Sequence, residues 1–223
     1  MVAIKDYTEM HIDLLQATMY PAEHVGLALS ITMRHKPDDE TLVATRSLCG
    51  KLWKAEHTSV FEHVVYCFLI ENVSRSFLAQ ITRQRTASPT SGSQHYQNYS
   101  SYPMVIDKAH EDHMSGQLNN ALRTYRSALK AGVPREEARQ VLPNASAVNY
   151  LWTIDARNLM FFLRQRLCNR NVKEMRIFAN RILSLVTPHF PELFMHAGPQ
   201  CTDGECFQKE LKMQCSEGIW VPI

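Results

Sequence analysis

The stretch His63 to Val73, HVVYCFLIENV, decides the fold class: it is short, rich in β-branched and aromatic residues, and apolar at both parities. That pattern predicts a sheet strand covered on both faces. Ser74 follows at once and can cap a short helix through Phe77, Leu78 and Ile81. Upstream, helical spacing over residues 39 to 55 places Leu42, Val43, Cys49, Leu52 and Trp53 on one face behind an acidic start at Asp38, Asp39 and Glu40. This helix is expected to end before His57. Downstream, residues 86 to 103 (TASPTSGSQHYQNYSSYP) are loop chemistry, full of hydroxyls and turn residues. A long helix then runs from about Asp107 to Ala131, with Leu118, Ala121, Leu122, Tyr125 and Leu129 inward and Gly132 as its stop. Pro134 at a first helical turn opens PREEARQVL, and Pro143 closes it. Val148 to Ile154 reads as a second strand, Asp155 to about Cys168 as a helix, and Val172 to Val186 as another, stopped by Pro188. The class is mixed α+β with helices predominating. No repeat, low-complexity tract or linker divides the chain, so a single domain over residues 1 to 223 is expected.

The 223 residues are enough to bury a core without disulfide or metal staples. With 45% hydrophobic and 21% charged residues, a disordered chain is excluded. Lys and Arg number 24 against 22 Asp and Glu, a formal charge of +2. That is too small for a general polyanion binder, whose affinity rests on many phosphate contacts, so any anion site must be local. Lys5, Asp6, Glu9 and Asp13 interrupt the apolar positions near the start, which speaks against a signal peptide, and no segment reaches the roughly 18 apolar residues of a membrane span. The six cysteines include three within apolar segments, as in a reducing compartment, and the expected location is cytoplasmic.

Two places break the pattern. From Asn72 to Ile106 there is no Asp, Glu or Lys, yet Arg75, Arg83 and Arg85 stand beside a run of Ser, Thr, Gln and Tyr. Guanidinium forks match phosphate oxygens two at a time, and hydroxyls and turn N–H groups complete such a shell without adding negative charge. A solvated polar loop is the alternative. Arg166, in turn, falls at helical spacing on the stripe of Leu159, Phe162 and Leu163, away from Arg157 and Arg164. A guanidinium there needs either an internal carboxylate, with Asp155 and Glu174 nearest in sequence, or a polar ligand.

Other chemistries are weaker. His57 and His63 have no Asp or Cys at ligand spacing, and CTDGEC with Cys215, His189 and His196 lacks the paired spacing of a zinc ribbon or finger, so no metal is expected. Cys67 lies mid-strand and Cys168 near a helix end, neither within a nucleophile signature. An enzyme built from positioned arginines and polar loops would leave the hard step to a bound cofactor.

These residues resemble the flavin-dependent thymidylate synthases. The family signature is Arg-His-Arg, seven residues, then Ser, usually followed one residue later by Arg and Tyr; here it reads Arg83-Gln84-Arg85, seven residues, Ser93, then Gln94-His95-Tyr96. HTSVFEH at 57 to 63, VPREEARQVLP at 133 to 143 and DARNLMFFLRQR at 155 to 166 follow the family's order, and HAGPQC at 196 to 201 is similar to a tail of many members. The resemblance implies a helix-rich α+β fold with a central, mostly antiparallel sheet, assembled as a homotetramer with FAD between subunits. It also implies transfer of a one-carbon unit from methylenetetrahydrofolate to the 5-position of dUMP, with reduction to the methyl of dTMP and NADPH as reductant. By position, Ser59, Arg83, Gln84, Arg85, Ser91, Asp155, Ala156, Arg157 and Phe161 fall where the family contacts flavin. Gln80, Ile81, Thr82, Arg83, the loop of Ser91, Gly92, Ser93, Gln94 and His95, and Arg139 fall where it holds the nucleotide. Arg166 falls on the arginine that polarises the pyrimidine, a cation that stabilises negative charge on the ring as its carbon becomes nucleophilic.

Four positions depart from the pattern. Gln84 replaces the motif histidine and removes a titratable group; His95 replaces an arginine near the phosphate and makes that contact pH-dependent. Asp155 stands where asparagine is usual, and Phe161 where a polar side chain faces the flavin. A methylase or hydroxymethylase acting on dCMP or dUMP is the alternative within this chemistry. Outside it stand a single-stranded nucleic-acid binder using Arg83, Arg85, Tyr96, Tyr99 and Tyr102, which the net charge disfavours, and a zinc-stabilised module over residues 189 to 215.

Overall fold

The computed structural model describes residues 2–33 and 39–204, the side chains of 39–44 and 203 excepted. The expected helix start at Asp38, the inward positions Leu42 and Val43, and Cys206 and Cys215 of the zinc reading lie outside what is described. In chain order the elements are β1 (Ile4–Asp6), β2 (His11–Ala17), α1 (Pro21–Thr32), α2 (Asp39–Lys54), β3 (Val65–Ser74), α3 (Arg75–Ile81), β4 (Ser88–Ser91) and β5 (Met104–Ile106). Then come α4 (Glu111–Lys130), α5 (Arg135–Ala138), β6 (Ala147–Asp155), α6 (Ala156–Arg166), α7 (Lys173–Val186) and α8 (Pro191–Phe194), with short 3-10 turns between several of them. The four-stranded sheet runs β2-β3-β6-β4 and the fold is α+β with a mostly antiparallel sheet, as expected. No helix among the described residues is long and apolar enough to cross a membrane.

The chain divides into two compact units: one holds the residues up to Asp13 with Leu69–Trp152, the other Leu14–Phe68 with the residues from Thr153 onward. In the first unit β1 pairs in parallel with β5, Lys5 opposite Val105. Beneath them α4 lays Leu118, Leu122 and Tyr125 onto Val2, Tyr99, Met104 and Ile106. Helix α4 begins at Glu111 rather than Asp107, because Asp107 accepts the backbone N–H of Ala109 and winds a 3-10 turn first. Gly132 does end it, at φ 84, a conformation that a side chain disfavours. In the second unit the core is aromatic: Tyr66 meets Phe194 at 5.7 Å, Phe162 meets Phe178 at 5.9 Å and Phe61 meets Phe190 at 6.4 Å.

Several expectations change. Strand β3 starts at Val65, since Ser59–His63 coil into a 3-10 turn. It is also not covered on both faces: Tyr66, Phe68 and Ile70 are buried, whereas Val65 is exposed and Cys67 and Leu69 are half-buried. A residue run that is apolar at both parities cannot show by itself which face has a neighbour. Residues 88–91 of the expected loop form the exposed strand β4, and Tyr99–Ser101 a 3-10 turn. Tyr99 is buried and stacks on Tyr102 at 4.3 Å, so of the three tyrosines proposed to stack bases only Tyr96 stands clear in solvent. Strands β1 and β2 and helix α1 are elements for which no sequence signal was read.

Candidate active site

In the first unit the candidate residues start from α3. Ser74 accepts the backbone N–H of Phe77 at 3.0 Å and launches the helix; Thr82 closes it by donating its hydroxyl to the Leu78 carbonyl at 2.8 Å. The chain leaves the helix with Gln80 half-buried and Arg83 and Arg85 exposed, while the Ile81 side chain turns into the core, leaving only backbone to a ligand. Neither Arg83 nor Arg85 makes a side-chain hydrogen bond or ion pair among the described residues, and the nearby Gln84 amide donates to Thr86 at 2.7 Å. Two guanidinium groups with one residue between them and no acid beside them in sequence carry positive charge that no described residue neutralises.

The loop Ser91 to His95 is fixed at both ends. Gly92 donates its N–H to the Asn149 carbonyl at 2.9 Å, while the Asn149 side chain accepts from the Asn72 backbone and donates to Glu71 at 2.9 Å. Ser93 accepts the N–H of His95 on its hydroxyl and that of Gln97 on its carbonyl. From α5, Arg135 donates to the Tyr96 carbonyl at 2.9 Å, and Glu136 lies 3.9 Å from His95, whose ring stands edge-on to Tyr96. Arg139 donates to the Glu136 carbonyl at 3.1 Å, within its own helical turn. Gln94 is buried, and its amide nitrogen is out of water with no partner. Sequence reasoning missed Arg135, Glu136 and Asn149; the first two sit in the VPREEARQVLP block, but nothing local marks them as holding a loop some forty residues away.

In the second unit the site is built on the first two turns of α6. Asp155 caps the helix by accepting the Asn158 backbone N–H at 2.9 Å, and its other oxygen accepts from the Asn158 amide at 2.6 Å. The Asp155 carboxylate is therefore occupied by the helix. Ala156 is buried and gives its N–H to the Val64 carbonyl at 2.7 Å. Arg157 pairs with Glu62, a residue of the HTSVFEH block, and its guanidinium stands 5.8 Å from the centre of the Phe161 ring. Phe161 is 39% exposed and meets Trp53 at 5.2 Å. Ser59, at the start of the preceding 3-10 turn, is exposed.

Arg166 ends α6 on the apolar stripe, as its spacing predicts. Its guanidinium lies 6.0 Å from the Phe162 ring centre and donates to Asn171 at 3.3 Å, and its Nε is out of water without an acceptor. It makes no ion pair among the described residues: Asp155 is engaged at the far end of the helix, and Glu174 bonds elsewhere. Burial accordingly pushes the Arg166 pKa down. Of the two partners the sequence left open, the internal carboxylate is not found among the described residues.

Among the described residues no group of three or more His, Cys, Asp or Glu could hold a metal ion. His189 of the zinc reading faces the Tyr66 hydroxyl at 3.3 Å, and the His196 ring packs over Gly50.

The architecture matches that of pyrimidine-nucleotide enzymes of known structure. A UMP/dUMP methylase from Streptomyces cacaoi bound with 5-Br dUMP superposes with a TM-score of 0.72 over 87% of this chain and 96% of its own, at 21% identity. A flavin-dependent thymidylate synthase from Helicobacter pylori, complexed with FAD and dUMP, gives 0.73 over 84% and 99%, at 20% identity. These likenesses define the fold. Residues 13–192 match the family model for thymidylate synthase complementing protein, and the chain belongs to this family of flavin-dependent thymidylate synthase enzymes. Relatives bearing that name include the Geobacter sulfurreducens protein, 32% identical over 88% of this chain and 90% of its own, and the Sulfolobus acidocaldarius protein, 37% identical over 72% and 69%.

Proposed function

We propose that this chain carries out the reductive methylation of dUMP to dTMP, taking the carbon from methylenetetrahydrofolate and reducing equivalents from NADPH, with FAD as bound cofactor. The observation that carries the reading is Arg166: a half-buried guanidinium on an apolar stripe, with a dry Nε and no carboxylate to meet it among the described residues. Such a group is costly unless a ligand completes it, and an electron-rich pyrimidine carbonyl or imide is a suitable acceptor.

The donor set fits a flavin dinucleotide and a nucleotide monophosphate. Arg83 and Arg85 are free to take phosphate oxygens, Arg157 has an Nε out of water without an acceptor, and Gln94 has an amide nitrogen in the same condition. Ser59, Gln84, Ser91, Asp155 and Ala156 complete the flavin set; Gln80, Ile81, Thr82, Gly92, Ser93, His95 and Arg139 complete the nucleotide set. When bound, FAD supplies hydride chemistry that no side chain of this protein offers.

The protein's own residues bind, orient and polarise. Arg83 and Arg139 hold the phosphate, with His95 as a third contact; the Ser91 to His95 loop, pinned by Asn149 and Arg135, keeps the nucleotide in place. Arg166 stabilises the negative charge that develops on the pyrimidine ring, which lowers the need for a side-chain nucleophile. The two compact units act as one catalytic domain, and the protein works as a homotetramer in the cytoplasm, its active sites shared between subunits. The exposed Leu27 and Ile31, one turn apart on α1, support self-association.

The test is direct. Purified protein incubated with FAD should show an oxidised-flavin spectrum that NADPH bleaches, and with methylenetetrahydrofolate and dUMP it should yield dTMP by mass. A colourless protein that takes up no flavin would overturn the assignment; product from dCMP alone would move it to the related methylase.

A further inference from the structure

We infer that Trp53 and Phe161 form a rigid aromatic wall for the isoalloxazine ring of FAD, so that stacking by this pair supplies flavin affinity. The inference rests on the flavoenzyme reading above. Phe161 breaks the pattern of its helix: Leu159, Met160, Phe162 and Leu163 are buried, whereas Phe161 is 39% exposed among polar neighbours. A phenyl ring on the solvent side of an amphipathic helix needs a reason. It does not stand alone there. The Trp53 indole, itself only partly covered, lies 5.2 Å away at an interplanar angle of 51°, and is backed by the buried Phe61 ring at 6.3 Å. On Phe161's other neighbour, the Arg157 guanidinium stands 5.8 Å from the ring centre, held by Glu62.

Each part limits the occupant. Two tilted aromatic rings, Trp53 backed by Phe61, favour a flat ring system, because the dispersion and quadrupole terms of stacking need little further ordering. The guanidinium over the Phe161 ring, with its Nε dry and without an acceptor, favours a ligand ring that carries acceptor atoms at its rim. A heteroaromatic with a carbonyl-bearing edge and an apolar body meets both demands, which the isoalloxazine does more fully than adenine. Trp53 is thereby a site residue contributed by α2, outside every motif read in the sequence.

The test is flavin binding by the full-length protein, read by fluorescence. Titration with FAD should quench both flavin and tryptophan emission, and FMN should bind at the same wall while ADP leaves the Trp53 signal unchanged. Trp53→Leu and Phe161→Ser should each weaken FAD binding about tenfold, and Phe161→Tyr should stay within about twofold of wild type. Circular dichroism melts of each variant should match wild type, because both positions are partly exposed. FAD bound with unchanged affinity by Trp53→Leu and Phe161→Ser would overturn this inference and leave the enzyme assignment standing. Loss of Trp53 quenching on FMN addition, with quenching by ADP, would move the wall to the adenine end and overturn it equally. A wild-type protein that binds no flavin would remove both readings together.

Discussion

Asp155 holds Asn158 twice, once through the backbone N–H at 2.9 Å and once through the side-chain amide at 2.6 Å. The family's usual asparagine at this position could cap the helix with its own oxygen, so the aspartate keeps a structural duty that both side chains can perform. Asp155→Ala should cost about 1 kcal/mol of stability, and Asp155→Asn about 0.5 kcal/mol or less. Urea denaturation checks both; a silent Asp155→Ala would show that the cap contributes nothing.

Arg166 gives a prediction in which function and stability part company. Because burial opposes its charge and no carboxylate among the described residues answers it, Arg166→Met should melt no lower than wild type in the absence of ligand, yet turn over dUMP at least about a hundredfold more slowly. Retained activity would take Arg166 out of the mechanism, and a steep loss of stability would reveal a partner beyond Asn171.

His189 contributes a pH dependence. Burial lowers its pKa from 6.5, while Nδ1 faces the buried Tyr66 hydroxyl. Since the folded state resists the imidazolium, the unfolded chain binds the extra proton once the pH drops below about 6.5, and stability falls as the medium is acidified. Above that value the native state keeps its full stability. His189→Gln should flatten the acid side of a melting-temperature profile below about pH 6.5, and an unchanged slope there would assign it to other groups.

Gly50 has no room for a side chain. A methyl group on its α-carbon would press on the His196 ring, with Cδ2 and Cε1 at 2.8 and 2.9 Å. Gly50→Ala should destabilise the protein by about 1–3 kcal/mol, and His196→Ala in the same background should recover most of it. Additive effects in that double-mutant cycle would mean that the ring simply swings away.

Legibility followed the range of the physics. Strand β6, helix α6 with its Asp155 cap, and helix α7 before Pro188 appear close to where periodicity and capping residues place them, because these signals act within a few residues. The two faces of β3 could not be told apart, since an apolar residue at every position carries no parity; the half-buried Cys67 and Leu69 became visible only with neighbours in place. Tyr99 reads as a loop aromatic in a hydroxyl-rich segment, but α4 packs Tyr125 against it and draws it into the core.

The chain alone determined its class, its family pattern and the oddness of Arg166, because composition, spacing and a guanidinium on an apolar stripe are properties of neighbouring residues. Tertiary structure decided which groups meet: Arg157 with Glu62 across 95 residues, Trp53 with Phe161, and Arg166 with an asparagine instead of an acid. The first two pairings depend on how distant elements pack, and packing is settled by the joint burial of many side chains, which no local spacing encodes; the third depends on the turn that follows α6.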